Sequence, residues 1–540
     1  MWQRSLNGPA PDRIIVNPRC FYRKSMAEAE LLIMGRFRLP GGDATARDGS
    51  PFFIKPPSEL WSESLHSFHW LRHFDAGGSE PVQEHLRQLI AHWVRSYGGW
   101  HELAWRPHVV ARRLITWASF GRLILHNADV LFRARVLLSM ARQARHLAKT
   151  AHTAEPGLAR MTAAIGLAQS GVCLPDGDFR MNKGLHMLAE ELGAQILPDG
   201  GHVSRNPEAV LSIASDLLAL MDAMTQRDLI VPVTVRRALD RMMPMIRFML
   251  HGDGRLALFN GGTEGTEGWA QTLLTYDTGR NKMPLHAQAS AYHRIDCGQT
   301  TLIADTGIAP PGRLSSTAHA GALSFEVSAA GERIIVNCGA SQVKGPDWAQ
   351  AMRATAAHST LTLDAFSSAH VVAGGWTEKL LGARLIEGPT RVDAKRRESE
   401  DGVHLETGHD AYLARFGRMH ERRWFVSHDG TDIRGEDKLS APAANEPART
   451  FTARFHLHPA VKAARMADGR AVVLTLPSGA TWRFGSDADL EIADSIYLGA
   501  GDAIRKSHQI VVTGTAGAEA VVVKWALKKI AGSGPEPSVN

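Results

Sequence analysis

At 540 residues, with 44% hydrophobic and 21% charged side chains, the chain is globular and long enough for two or three cores. Its net charge of +6 is dispersed and accompanied by no zinc-finger spacing, RNA-binding signature or nucleotide-phosphate loop, which argues against a nucleic-acid partner. Four scattered cysteines (Cys20, Cys173, Cys297 and Cys338) without a CxxC pair exclude a disulfide framework.

The opening stretch, MWQRSLNGPAPDRIIVNPRC, carries no apolar signal region, and no run of about 18 apolar residues follows anywhere. These features point to a cytoplasmic protein without a membrane span, the periplasm and a homodimer staying open. Residues 1–55 read as an N-terminal segment.

From about residue 60 to 250 the hydrophobic period is helical. Leu86, Leu89, Ile90, Trp93, Val94 and Tyr97 share one helix face, and Asn127 is placed to cap a helix carrying Leu131, Ala134, Leu138 and Ala141. Asn206-Pro207 is a start signal for a helix bearing Val210, Ile213, Leu217 and Met221. The Gly-rich NGGTEGTEG (260–268) reads as a junction loop.

From about residue 290 the period falls to two. Leu323, Phe325 and Val327, an Ala-Ala-Gly-Glu turn and Ile334-Ile335-Val336 make a hairpin, and TLTLD, RWFVS, AVVLTL, ATWRFG and IVVTG follow as strands. Lys395-Arg396-Arg397 reads as a solvated hairpin tip, and GSGPEPSVN as a frayed tail. The expected fold class is α+β multidomain: helices over 56–280, an antiparallel β-sandwich over 281–530, and a tail over 531–540.

Two stretches go beyond fold class. Ser316–Ala340 (STAHAGALSFEVSAAGERIIVNCGA) with Arg353–Asp364 (RATAAHSTLTLD) resembles the heart of the heparinase II/III-like domain, and ILPDGGHVSRNP (196–207) resembles that family's Asp-Gly-Gly turn. SLHSFHWLRHF (64–74) and ARFHLHP (453–459) also fit. The resemblance covers about residues 50 to 530. It implies an incomplete α/α toroid ahead of the sandwich and a polysaccharide lyase acting by β-elimination on an acidic, uronate-containing poly- or oligosaccharide. Such a site neutralises the sugar carboxylate, removes the C5 proton with a Tyr or His, and is braced by a zinc ion.

Carried over by residue, the resemblance makes His319 and His358 metal ligands, with Asn337 where the family has Asp, which predicts a weak zinc site. Thr317 stands for the catalytic histidine of the turn, Ala154-Glu155-Pro156 for an Asn-His pair, and Ala209 for a tyrosine. No tyrosine lies between Gly200 and Thr275 to replace it. His202 and Tyr292 remain as candidate catalytic groups, and Arg205 and Arg353 as candidate substrate carboxylate binders. Each has a plainer reading: sheet-bonded or capping for the histidines and Asn337, a buried strand for Tyr292, and a supporting ion pair for Arg353. The altered positions leave a non-catalytic or re-purposed glycan binder as the alternative. A two-carboxylate hydrolase would need paired acids, and the spacing of Glu190, Glu191 and Asp199 singles out no pair.

Overall fold

The computed structural model describes residues 2–46, 50–75, 78–279, 281–341, 344–372, 382–442, 447–500 and 504–530. The expected frayed tail lies outside them.

The helical half comprises α1 (Met26–Ile33), α2 (Glu59–Ser67), α3 (Glu80–Tyr97), α4 (Pro107–Ser119), α5 (Gly121–Leu125), α6 (Val130–Thr150), α7 (Leu158–Cys173), α8 (Asp178–Gln195), α9 (Pro207–Gln226), α10 (Val233–Phe248) and α11 (Trp269–Leu274). Helix α7 is buried on nearly every side and α9 on most of its length, so these form the inner layer with α4. By contrast α3 buries only Leu86, Leu89, Ile90 and Trp93, while Val94 and Tyr97 of the stripe read from the period are half-buried. This double layer is the expected incomplete toroid. Asn206 caps α9 as read, its side chain accepting from Glu208 N–H at 2.8 Å. The cap of α6 is Asp129, which accepts from Phe132 N–H, and not Asn127, which sits at φ +55° in the preceding turn.

The remaining chain forms two antiparallel sheets. The first contains β3 (His286–Ala287), β4 (Tyr292–Cys297), β5 (Thr300–Asp305), β6 (Phe325–Ala329) and β7 (Glu332–Val336), then β8 (Leu361–Leu363), β15 (Arg449–Leu457), β19 (Asp489–Tyr497) and β20 (Arg505–Ala516). The second runs in the order β11 (Val392–Glu398), β12 (Gly402–His409), β13 (His420–Ser427), β14 (Asp432–Leu439), β21 (Val521–Lys529), β18 (Thr481–Ser486), β17 (Ala471–Thr475), β16 (Lys462–Arg465). Small pairs β1 (Arg36–Leu39) with β2 (Gly42–Thr45), and β9 (His370–Val371) with β10 (Leu385–Ile386), stand apart. The sheets enclose one core that includes Phe325, Trp424, Phe455, Phe484 and Trp525.

The 323–336 hairpin forms, but its polar positions do not face solvent. Glu326 and Ser328 are buried against the toroid, where both bond His251 (3.0 and 2.9 Å). Lys395–Arg397 lies mid-strand in β11 and not at a hairpin tip; Arg396 reaches back to the Arg294 carbonyl at 2.7 Å.

Candidate functional site

The polar residues singled out in the sequence lie close to the domain junction, and most are fully engaged. His202 is 1% exposed. Its Nδ1 accepts from Ser204 (N–H at 3.1 Å, O–H at 2.7 Å), so the proton sits on Nε2, which donates to Gln195 Oε1 at 2.9 Å. Burial lowers its pKa to about 4.

Arg205 adopts φ +58° and spends its guanidinium on the carbonyls of Ser290, Ala291 and Ile308 and on Asp305, riveting toroid to sandwich. The same guanidinium covers the Tyr292 ring at 4.7 Å. Tyr292 O–H donates to the Arg205 carbonyl at 2.6 Å and accepts from Asn260 at 2.7 Å, and burial raises its pKa. Arg353 bonds the carbonyls of Ala318, Ser315 and Ala383, which pins the turn carrying His319.

His358 Nδ1 donates to the Ala354 carbonyl at 2.9 Å, leaving Nε2 to accept from His319 Nδ1 at 3.0 Å. Asn337 donates to the Leu258 carbonyl and accepts from Ser359 N–H, so both ends of its amide are taken. Among the described residues no three His, Cys, Asp or Glu side chains gather as a metal site. Two imidazoles bonded to each other and an occupied amide do not fit the zinc ion that the resemblance implies. His456 bonds Ser495 and the Ala356 carbonyl, and His458 lies edge-on to Tyr497. Asp199 accepts from the N–H and O–H of Ser290 and from Gly201 N–H, which ties the Asp-Gly-Gly turn to the start of the sandwich.

The open chemistry lies elsewhere, in a cavity of about 590 Å³ where the toroid meets the sandwich. The 64–74 run builds one wall. Phe68, at φ 58°, ends α2 and turns the chain into a 3₁₀ segment, His69–His73. That turn sends Trp70 and Leu71 into the core and leaves His69, Arg72 and His73 along the cavity. From α9, Glu208, Ser212 and Asp216 recur every four residues and face it as one stripe. From α4, Arg112 points in and binds Asp216 bidentately (2.6 and 2.7 Å), while its neighbour Arg113 points to the outer layer and covers Trp93 at 4.1 Å. Tyr22 comes from the N-terminal segment. Its hydroxyl donates to the Ser212 carbonyl (3.1 Å) and its ring meets His69 edge-on at 4.5 Å. Thr263 and Trp269, on the junction loop and α11, close the far side, where Thr263 donates to Glu208.

The cavity's arginines divide into three held in ion pairs and two, the exposed Arg23 and the half-buried Arg72, held in none among the described residues. Arg38 pairs with Glu28, Arg112 with Asp216 and Arg255 with Glu264. Among the described residues Arg72 forms no hydrogen bond or ion pair, its one partner being the Tyr22 ring face at 5.9 Å. Burial lowers its pKa, Arg112 acting in the same sense. The His69 ring likewise has no hydrogen-bond partner among the described residues, and burial followed by the nearby Arg72 charge keeps it neutral. Sequence reading passed over Tyr22, His69 and Arg72. The polar spacing within 64–74 was a usable signal for the last two; nothing local marks Tyr22.

Residues 84–276 match the heparinase II/III N-terminus model and residues 279–526 the heparinase II/III-like C-terminal model. The chain is 35% identical over 535 residues to "FtsZ-localized protein C" of Caulobacter vibrioides, covering 97% of this chain and 92% of that one. Among solved structures it is similar to heparinase III (TM-score 0.74, 14% identity, 98% of this chain and 89% of that one). It is also similar to heparan sulfate lyase HepC from Pedobacter heparinus (TM-score 0.59, 17% identity, 99% and 88%). With both family models spanning its two halves, this chain belongs to the heparinase II/III-like family.

Proposed function

We propose that this chain is a glycan-binding member of its family that holds an acidic, uronate-type oligosaccharide in the toroid cavity, without zinc. The observation that carries this is the unpaired guanidinium of Arg72. A half-buried charge with no ion-pair partner among the described residues, only the more distant Glu208 carboxylate acting on it, is costly to fold, and a sugar carboxylate would supply that partner bidentately. The relative named for FtsZ supports a place for this chain beside that protein, an expectation that co-localisation in cells checks.

A second reading, β-elimination through a rearranged site, is favoured by His69. Its neutral, unbonded ring shares the cavity with Arg72, the two roles that the reaction demands. There the C5 proton passes to His69, the C5 electron pair forms the C4–C5 double bond as the C4–O bond breaks, and the leaving 4-oxygen takes its proton from solvent water.

One experiment separates the two. Uronate oligosaccharides are titrated against the protein by calorimetry while absorbance near 235 nm is followed. Binding that disappears in Arg72→Gln with a flat trace supports the binder. A rise at 235 nm abolished by His69→Ala would replace it with the lyase, and equal binding by wild type and Arg72→Gln would sink both.

A further inference from the structure

We infer that this cavity receives the end of an anionic oligosaccharide and not the interior of a long chain. The inference rests on the reading of the cavity as an acidic-sugar site and concerns its shape, which the N-terminal segment determines.

Residues 4–25 form a strap that crosses the far rim of the toroid and then climbs its inside. Ser5 and Leu6 carbonyls accept from Lys149 and Arg145 of the outer helix α6. Ile15 N–H then donates to the Cys173 carbonyl at the C-terminal end of α7, and Asn17 to the Ala118 carbonyl near the C-terminal end of α4. Arg19 N–H donates to Asp222 (2.8 Å), Tyr22 bonds Ser212, and Ser25 N–H donates to His73 Nδ1 (3.1 Å). Along α9 these contacts pass from Asp222 to Ser212, from the far rim toward the helix N-terminus where the cavity opens.

The strap therefore occupies the toroid's axis. Behind Tyr22, enclosed by Arg19, Cys20, Phe21, Ile115 and Phe120 among others, only about 20 Å³ remains, room for a single water. In front of Tyr22 the cavity holds about 590 Å³, within the range for small-ligand sites. The lateral walls are the Glu28–Arg38 pair on one side and the 263–269 loop on the other. A floor of this kind gives a pit with one mouth. Arg72 and His69 sit against that floor, beside Tyr22, so an anionic group reaches Arg72 only if the chain that bears it stops there. The strap is bonded first to the outer helix α6 and then to the inner helices α7, α4 and α9, and so acts as a fixed wall.

The test compares uronate di-, tetra-, hexa- and octasaccharides with the intact polymer in calorimetry and competition. With end recognition, Kd per mole of chains stays within about threefold beyond the length that fills the pit, and polymer competes by its number of ends. Capping the correct end, by borohydride reduction at the reducing end or removal of the terminal sugar at the other, weakens binding by about tenfold or more. Affinity that rises with chain length past the octasaccharide, or polymer competing by mass, would overturn the inference while leaving the sugar site intact. Absence of binding at every length, unchanged in Arg72→Gln, would remove the sugar site itself and this inference with it. As a check on the floor, Tyr22→Ala, if it binds, should accept polymer by mass; retention of end counting would assign the stop elsewhere and overturn Tyr22's role.

Discussion

His319 and His358 are bonded ring to ring, Nδ1 to Nε2 at 3.0 Å, in an 80° edge-to-face arrangement. Along this contact His319 Nδ1 and His358 Nε2 are each spent on the other ring, and His358 Nδ1 is spent on the Ala354 carbonyl. A zinc ion bound at about 100 times its Kd would add about 2.7 kcal/mol to folding. We therefore expect no thermal shift on adding zinc or a chelator, and no stoichiometric metal by mass spectrometry of the purified protein. A reproducible rise in Tm with zinc would show that the pair opens to accept it.

The same burial makes folding acid-sensitive. His358 and His202 have pKa values lowered to about 4, and His456 to about 3, each chiefly by desolvation. Their folded pKa values lie below the unfolded value near 6.5, so the unfolded state binds more protons in that window, and stability rises with pH. The contribution is fully present above about pH 6.5 and falls away as pH drops toward 4. Each such histidine removes roughly 1.4 kcal/mol at one unit below its unfolded pKa. Urea midpoints should decline steeply from pH 7 to 5 and be flat from 7 to 8. His358→Asn should shallow the acid slope; an unchanged slope would mean that the pair is already protonated when folded.

Arg205 was a candidate for holding substrate, and its geometry makes a different demand. Its guanidinium bridges α9's entry turn to three carbonyls and Asp305 across the junction. Arg205→Ala should cost about 3–5 kcal/mol, because the buried Asp305 carboxylate loses its ion pair and keeps only the neutral donors Asn260 and Gly307 N–H. Arg205→Ala,Asp305→Ala together should recover part of that loss. Denaturation midpoints check this, and a Kd for sugar unchanged in whatever fraction stays folded separates a strut from a ligand.

Much of the architecture was readable because it depends on short-range pattern. The α3 stripe, the Asn206-Pro207 start and the 323–336 hairpin each follow from residues within one or two turns of chain. The error at Asn127 is of the same local kind: two good caps two residues apart compete, and Asp129 reaches Phe132 N–H. What was not readable is long-range. Tyr22 meets Asp216 across 194 residues, and His202 and Arg205 sit beside the junction but are consumed by partners the sequence does not order. The alternation in β6 was visible, yet the destination of Glu326 against His251 was not, because a polar residue facing another domain looks like one facing water.

Arg72 offers the sharpest test, since the structural and the functional readings predict opposite signs. Were Arg72 a scaffold residue, replacing it would lose contacts and destabilise the fold. Its guanidinium has no anionic partner among the described residues, and its surroundings lower its pKa, so the charge itself costs free energy in the empty protein. Arg72→Gln removes that charge and forfeits only the Tyr22 ring contact, worth about 0.5–1 kcal/mol at a site of this kind. The variant should accordingly match or slightly exceed wild type in urea midpoint without ligand, while sugar binding weakens by about tenfold or more, the usual consequence of losing a charge-assisted pair. Saturating oligosaccharide should then stabilise wild type and leave Arg72→Gln unmoved. A loss of more than about 2 kcal/mol in the ligand-free variant would assign Arg72 to the scaffold, since a residue held strained for function gives up little stability when it is removed.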